Sequence, residues 1–318
     1  MTECIGIDVS KAKLDFALVR GTRTALEGQC MNTTKGITEW IRKLETHGIQ
    51  KSTPCVLEST GIYHVPVSLM LKDAGYTVNC INPIITKTYQ RASIRGSKTD
   101  TIDAERLAHI GLREPRLPIF KATKEILYAN RLVSLVGTLE RLKQSYTLAL
   151  RTLHDSEEML GVSESTFGEP LLKQFRKTII ELQDEIQSHA PARASTLAEI
   201  PGVSKHAAAV LMTHLEGKHF EHRDQLVAYV GLDVRVIQSG TFRGRGKLSK
   251  RGNSYIRKVL FQIAWGLKQH HPLYQELFAK LRKDKRPYKE ALAIIARKFL
   301  RYLHRHILYP QVEVALSL

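Results

Sequence analysis

Two apolar runs in the first sixty residues each end on a carboxylate, and this pattern limits what the chain can become. The first is Cys4-Ile5-Gly6-Ile7-Asp8-Val9; it turns at Ser10 and returns as Lys13-Leu14-Asp15-Phe16-Ala17-Leu18-Val19, which predicts a β-hairpin. The second is Pro54-Cys55-Val56-Leu57-Glu58, closed by the turn residues Ser59-Thr60-Gly61. Between them, Thr34 to His47 reads as a helix with Ile37, Trp40, Ile41 and Leu44 on one face. A helix over 67–74, a strand over 76–81 and the Asn82-Pro83 break complete an alternating α/β order. A carboxylate that ends an apolar strand is expensive to bury alone, so Asp8 and Glu58 predict a sheet edge where a partner is met.

A third acidic element follows in Ser97-Lys98-Thr99-Asp100-Thr101-Ile102-Asp103-Ala104-Glu105. Ile102, Ala104, Leu107, Ala108, Ile110 and Gly111 keep one apolar face at helical spacing, and Thr99 or Asp100 is placed to cap the helix. Asp100 and Asp103 then share a face, roughly 5–6 Å apart at Cβ. An acidic first turn that complements the helix dipole accounts for the pair, and so does a site for a hard divalent cation. Taken together, Asp8, Glu58 and Asp100 with Asp103 point to an RNase H-like fold, in which such elements lie side by side. Their carboxylates there converge on two metal ions about 3.5–4 Å apart that clamp a phosphodiester. Sugar kinases and actin-like ATPases also open with a Gly-Ile-Asp hairpin, but they need a second glycine-rich phosphate loop, and the sequence contains none.

Composition names the partner class. The chain of 318 residues carries a net charge of +17, and residues 201–318 hold 22 Lys and Arg against 8 Asp and Glu. A basic surface concentrated in one third of a chain predicts a polyanionic partner, nucleic acid first. No long apolar span and no signal peptide is read, which speaks against a membrane. Cys4, Cys30, Cys55 and Cys80 form no C-x-x-C pair, which argues against zinc and for a reduced, cytoplasmic setting with cysteines as small core residues.

Downstream, Tyr128, Leu132, Leu135, Leu139, Leu142, Tyr146, Ala149 and Leu153 recur at intervals of four and three, the seam of a coiled coil. An acidic break at Asp155-Ser156-Glu157-Glu158 precedes a second heptad through Leu172, Phe175, Ile179, Leu182 and Ile186. Such helices make an intramolecular hairpin or a self-association arm, and the latter is expected here. Ile200-Pro201-Gly202-Val203-Ser204 resembles the turn of a helix-hairpin-helix, read either as a phosphate contact or as a purely structural connection. From Arg235 to Asn253, Ser, Gly, Arg and Lys alternate as a turn-rich loop suited to a phosphate backbone. A serine among cations is a possible nucleophile, but on spacing alone Ser239 is a turn serine and Ser249 an equal candidate. Helices over 254–268 and 288–309, joined by a basic link over 280–289, bury Val259, Ile263, Leu267, Leu292, Ile295, Phe299 and Leu303. Arg297, Lys298, Arg301 and Arg305 are expected to face solvent or phosphate.

With these residues in view, the sequence resembles the DEDD transposases, the insertion-sequence recombinases of the IS-one-ten group that are guided by a bridge RNA. The resemblance rests on Gly6-Ile7-Asp8 with Lys13-Leu14-Asp15, Glu58-Ser59-Thr60-Gly61-Ile62-Tyr63, Asn82-Pro83 and Lys98 to Ala104. It continues through Ile200-Pro201-Gly202-Val203, Gln238-Ser239-Gly240 and Leu248 to Asn253, with Ser204 in place of a usual glycine. It implies three parts: a RuvC-like α/β domain over 1–120, a coiled-coil oligomerisation segment over 121–190, and a mainly helical transposase domain over 191–318. It further implies Asp8, Glu58, Asp100 and Asp103 as ligands of Mg²⁺, with Mn²⁺ as a substitute, and Ser239 as a nucleophile forming a phosphoserine link to DNA. The implied partners are donor and target duplexes, a structured guide RNA and further copies of the chain, in the cytoplasm of a prokaryote at its nucleoid. Two other classes remain open: a RuvC-like junction-resolving endonuclease that cuts with activated water, and a non-catalytic architectural protein.

Overall fold

The computed structural model describes residues 3–59, 61–83, 86, 89, 100–114, 116–162, 166, 168–235, 238–239, 242–243 and 246–309, with backbone alone at 100, 101, 235, 238, 239, 242, 243 and 247. Of the two expected caps, Thr99 lies outside them and Asp100 is described by its backbone alone. The chain forms two compact units, residues 1–124 with 217–219 and residues 125–216 with 220–318.

The first unit is built from β1 (Glu3–Val9), β2 (Lys13–Arg20), β3 (Arg23–Met31), α1 (Thr34–Thr46), β4 (Cys55–Glu58), α2 (His64–Asp73), β5 (Val78–Ile81) and α3 (Asp100–Arg113). The sheet order is β3-β2-β1-β4-β5, antiparallel among the first three strands and parallel from β1 through β4 to β5. This mixed, helix-flanked sheet fits an RNase H-like domain. Strand β3 was not expected from the sequence, because it is an edge strand whose side chains are exposed or half-buried throughout. Backbone pairing with β2, rather than apolar alternation, defines it.

Alternation along the strands gives the sheet two working faces. On one, Ile5, Ile7, Leu14, Phe16 and Leu18 pack with Ile37, Trp40, Ile41 and Leu44 of α1, the four residues its periodicity marks. On the other, Cys4, Val19, Val56 and Ile81 pack with Leu107, Ala108 and Ile110 of α3. Helix α3 reaches the strand closely because both surfaces are small. A Cβ on Gly6 would stand 1.9 Å from the Ala104 carbonyl oxygen, and one on Gly111 would stand 2.3 Å from Cys4 Sγ. Gly6 therefore faces Ala104 while Cys4 faces Gly111, so α3 runs antiparallel to β1 and its first turn lies at the end where Asp8 stands.

The second unit contains α4 (Lys124–Leu160), α5 (Glu169–Ser188), α6 (Arg193–Ala198), α7 (Lys205–Leu215), α8 (Arg223–Tyr229), α9 (Ser254–His270), α10 (Pro272–Lys283), α11 (Tyr288–Leu303) and a π-helical turn at His304–Leu308. The acidic stretch 155–158 does not break the chain: α4 continues through it to Leu160. Asp155, Ser156 and Glu158 are exposed, and the Ser156 hydroxyl donates to the Thr152 carbonyl one turn back at 2.7 Å, so polarity there signals a solvated helical surface and not a stop. The link expected over 280–289 is in part α10, anchored by buried Tyr274. The α4 seam is divided: Leu132 is buried in the core, while Tyr128, Leu135, Leu142 and Leu153 are exposed. Helix α5 buries Leu172, Ile179 and Ile186 and turns back along α4, with the Tyr146 and Phe175 rings 6.3 Å apart. Its core is shared with α7, α9 and α11, where Val259, Ile263, Leu267, Leu292, Ile295, Phe299 and Leu303 are buried as expected. Arg301 does not stand in solvent alone; it holds Asp224 at 2.8 Å.

The Pro201-Gly202-Val203 turn has a structural partner. Gly202 has φ +93°, and a Cβ on it would stand 2.4 Å from the Gly266 carbonyl of α9. Ser204 occupies the usual glycine position because it caps α7, its hydroxyl accepting a hydrogen bond from the Ala207 N–H at 3.2 Å. All four cysteines are thiols, with Cys4 and Cys55 buried. Burial pushes the Cys4 thiol up to about 12 and the Cys80 thiol up to about 11, so both stay protonated. No described helix is long and apolar enough to cross a membrane.

Candidate active site

The acids come from three elements that the sheet brings to one edge. Strands β1 and β4 are parallel, with Ile7 beside Leu57, so the next residues, Asp8 and Glu58, end neighbouring strands at the same edge. Alternation puts both on the face that α3 covers, since Gly6 and Val56 are on that face and contact α3. The first turn of α3, which opens at Asp100 and contains Asp103, lies over this edge. The Asp100 side chain is outside the described residues.

Each described acid is set in a polar contact. Glu58 accepts a hydrogen bond from the Thr86 hydroxyl. Asp103 accepts one from the Arg106 guanidinium at 2.8 Å, with both side chains half-buried. Asp15 stands directly across the hairpin from Asp8 and is 2% exposed. Two carboxylates opposite one another repel, and the Lys13 ammonium, 3.1 Å from Asp15, offsets this. The pairing of Asp15 with Lys13 was readable, since the i,i+2 spacing on a strand puts both on one face. Arg106 was likewise readable as the i+3 partner of Asp103. Thr86 has no local signal, because only the folded chain brings it to Glu58.

The donor set is entirely carboxylate oxygen, the type that hard divalent ions prefer. Among the described residues no three of His, Cys, Asp or Glu close into a single metal-binding group. Asp8 and Glu58 are presented by adjacent, hydrogen-bonded strands.

Ser239 belongs to the second unit. It lies in β7 (Gln238–Ser239), paired antiparallel with β8 (Phe242–Arg243), inside a segment closed by β6 (Val234–Arg235) and β9 (Lys247–Leu248). Among the described residues, the stretch expected to be a turn-rich loop contains two ladders of two residues each. The Ser239 side chain lies outside the described residues; Ser249 is half-buried and donates its hydroxyl to Asp233.

A family model for a DEDD transposase matches residues 5–155, and the model of the Transposase IS116/IS110/IS902 family matches residues 194–279. The chain is a transposase of this family. Pilin gene-inverting proteins of Moraxella bovis and Moraxella lacunata are each 25% identical over 310 residues, covering 93% of this transposase and 92% of each relative. A probable family 20 transposase of Pseudomonas aeruginosa is 25% identical over 244 residues, covering 66% of this chain and 70% of that protein. Among solved structures, T. thermophilus RuvC in complex with Holliday junction substrate matches 34% of this transposase and 90% of its own chain, at 14% identity and a TM-score of 0.27. The transposase is thereby an enzyme of DNA transposition and recombination, with the acid-bearing elements inside the first matched region and Ser239 inside the second.

Proposed function

We propose that this transposase cuts and rejoins DNA strands through a phosphoserine intermediate on Ser239, with a structured RNA guiding the choice of site. The observation that carries the reading is the meeting of Asp8, Glu58 and the first turn of α3 at one sheet edge. Asp8, Glu58, Asp100 and Asp103 would hold Mg²⁺ or Mn²⁺, which supplies Lewis-acid polarisation of a phosphodiester. The Ser239 hydroxyl attacks the phosphorus: an Oγ–P bond forms, a P–O bond to a deoxyribose oxygen breaks, the serine proton passes to solvent or base, and the departing oxygen is protonated in turn. The phosphodiester energy stays in the serine link, and a deoxyribose hydroxyl of the partner strand reverses the step. Lys and Arg of the C-terminal third bind duplex and RNA backbones by charge and shape.

In this reading residues 1–120 form the metal-binding catalytic domain and residues 191–318 the serine-bearing domain. Residues 121–190 serve self-association through the exposed row of Tyr128, Leu135 and Leu142, because exchange between two duplexes needs several active sites. The setting is the prokaryotic cytoplasm, at the nucleoid.

The test separates binding from chemistry. Protein co-purified with RNA transcribed from its flanking DNA is given donor and target duplexes with Mg²⁺, as wild type, Asp100→Ala and Ser239→Ala. Both variants are expected to bind DNA and to lose strand exchange. Cutting that persists in Ser239→Ala would make the protein a hydrolytic junction-resolving endonuclease, and binding without any cutting by the wild type would make it architectural.

A further inference from the structure

The segment that carries Ser239 leaves the helical core at Val234 and returns at Leu248, and its two ends are fastened more firmly than a hairpin needs. Beyond the Val234–Leu248 and Arg235–Lys247 pairs, the Ser249 N–H donates to the Asp233 carbonyl at 2.9 Å and the Lys250 N–H to the Gly231 carbonyl at 3.1 Å. The Ser249 hydroxyl then donates to the Asp233 carboxylate, joining the same two residues a second time through their side chains. On the return side, the Arg257 guanidinium donates to the carbonyls of Arg251 at 3.2 Å and Gly252 at 3.0 Å. The Asn253 side chain accepts from the Tyr255 N–H at 2.8 Å and so fixes the start of α9. Leu232 on the outgoing side is buried.

We infer that Asp233 and Ser249 form a positioning clasp that holds the Ser239 segment in its reactive placement. This rests on the reading of Ser239 as nucleophile. Asp233 stands out by its charge. Arg235, Arg243, Arg245, Lys247, Lys250 and Arg251 surround this base in the sequence, and they suit a polyanion. A carboxylate among them subtracts from phosphate attraction, and backbone pairing alone would close the ladder. What the carboxylate adds is an acceptor oxygen for the Ser249 hydroxyl, which fixes how the outgoing and returning chains lie against each other. Placement at that base sets the direction in which the chain leaves toward the β7–β8 ladder that carries Ser239. A nucleophile displaced by about 1 Å loses roughly 100-fold in rate, so a restraint at the base acts on rate more than on binding.

The experiment compares Asp233→Ala, Asp233→Asn, Ser249→Ala and Ser249→Thr in the RNA-loaded protein. It reads the rate of SDS-resistant adduct on labelled duplex with Mg²⁺, the duplex Kd, the melting temperature and, by peptide mass mapping, the residue that carries DNA. Asparagine keeps an acceptor oxygen and threonine keeps a donor hydroxyl, so the clasp survives in both. The expected result is a fall of roughly 10- to 100-fold in adduct rate for the two alanine variants, with a Kd unchanged in Ser249→Ala and no weaker than wild type in Asp233→Ala. Rates close to wild type are expected for Asp233→Asn and Ser249→Thr, with the adduct on Ser239 throughout. Adduct on Ser239 with equal rates in all five proteins would overturn the clasp and leave the Ser239 reading intact. An effect on melting temperature alone, matched by no change in rate per folded molecule, would also overturn it. Adduct mapped to Ser249 in the wild type would overturn both, since Asp233 would then be the base beside a different nucleophile. If the alanine variants do not fold, a rate loss in both conservative variants would count against the clasp and retained rates would support it.

Discussion

The acids and the serine are mounted in contrasting ways. Asp8, Glu58 and the first turn of α3 come from elements scattered over a hundred residues, and they meet because a helix lies directly on a strand at Gly6. Ser239 sits in ladders of two residues each, closed by neighbours between 231 and 253. The first arrangement draws its precision from a packed core, where surfaces tolerate little displacement. The second draws it from local hydrogen bonds at the base of one segment. A change in the core packing beneath the acids should therefore stop chemistry, whereas the serine segment should respond chiefly to its own anchors.

The largest expected effect breaks the first arrangement at the contact that sets it. Gly6→Val puts branched carbon into the Ala104 carbonyl and forces α3 off the sheet. The unit should lose about 3 kcal/mol of stability, and cleavage should drop by roughly 100-fold or more as the α3 acids shift. Thermal melting together with single-turnover cleavage checks both, and an unchanged melt would contradict the close helix–strand approach. Next, Glu58→Ala and Asp103→Ala should each lower cleavage at least roughly 100-fold while DNA binding by gel shift persists. A loss of binding of the same size would mean that these acids hold the fold and not the chemistry.

Lys13→Met probes the charge beneath Asp8. It leaves the 2%-exposed Asp15 carboxylate without its ammonium, for a predicted loss of about 3 kcal/mol in urea unfolding, largely restored by adding Asp15→Asn. The exposed Lys177–Glu181 pair, at 71% and 60% side-chain exposure, should by contrast contribute close to nothing. In the second unit, Ser204→Ala removes the α7 cap and should cost about 1 kcal/mol without altering cleavage per folded molecule. The smallest effect is a pH dependence. Burial holds the His206 imidazolium below its ordinary 6.5, opposed by the carboxylates of Glu140 and Asp184. The unfolded chain therefore binds that proton more readily, and the stability of the second unit should start to fall as pH drops below 6.5 and keep falling toward the lower folded-state value. Comparing melting at pH 7.5 and 5.5 for wild type and His206→Gln checks this, since the variant should lose less on acidification.

Much of the first unit was legible because apolar strands ending on acids and a four-residue helical face are strong local signals. Trp40 and its neighbours, the β1–β2 hairpin and the order of strands and helices follow from periodicity alone. Strand β3 was not legible, since an edge strand is specified by its partner's backbone and not by its own side chains. The acids could be named from the sequence, but Thr86 at Glu58 could not, because nothing near either residue announces a contact 28 positions away. In the second unit, the heptads marked helices correctly, yet periodicity could not say which side faces this chain. The structure buries Leu132 and exposes Leu135 within the same seam. The Pro201–Ser204 turn left a phosphate contact and a structural joint equally open, and the meeting of Gly202 with Gly266 favours the joint. Ser239 was named by resemblance, since a serine among glycines and cations carries no local mark of reactivity.

The most direct test of the account is covalent trapping. RNA-loaded protein is mixed with end-labelled donor and target duplexes and Mg²⁺, then run on a denaturing gel beside Ser239→Ala and Asp103→Ala. The account predicts a protein–DNA adduct that survives SDS in the wild type and is absent in both variants. Cleaved DNA with no adduct at any time point would contradict it, because the phosphodiester would then have been passed to water and not to serine.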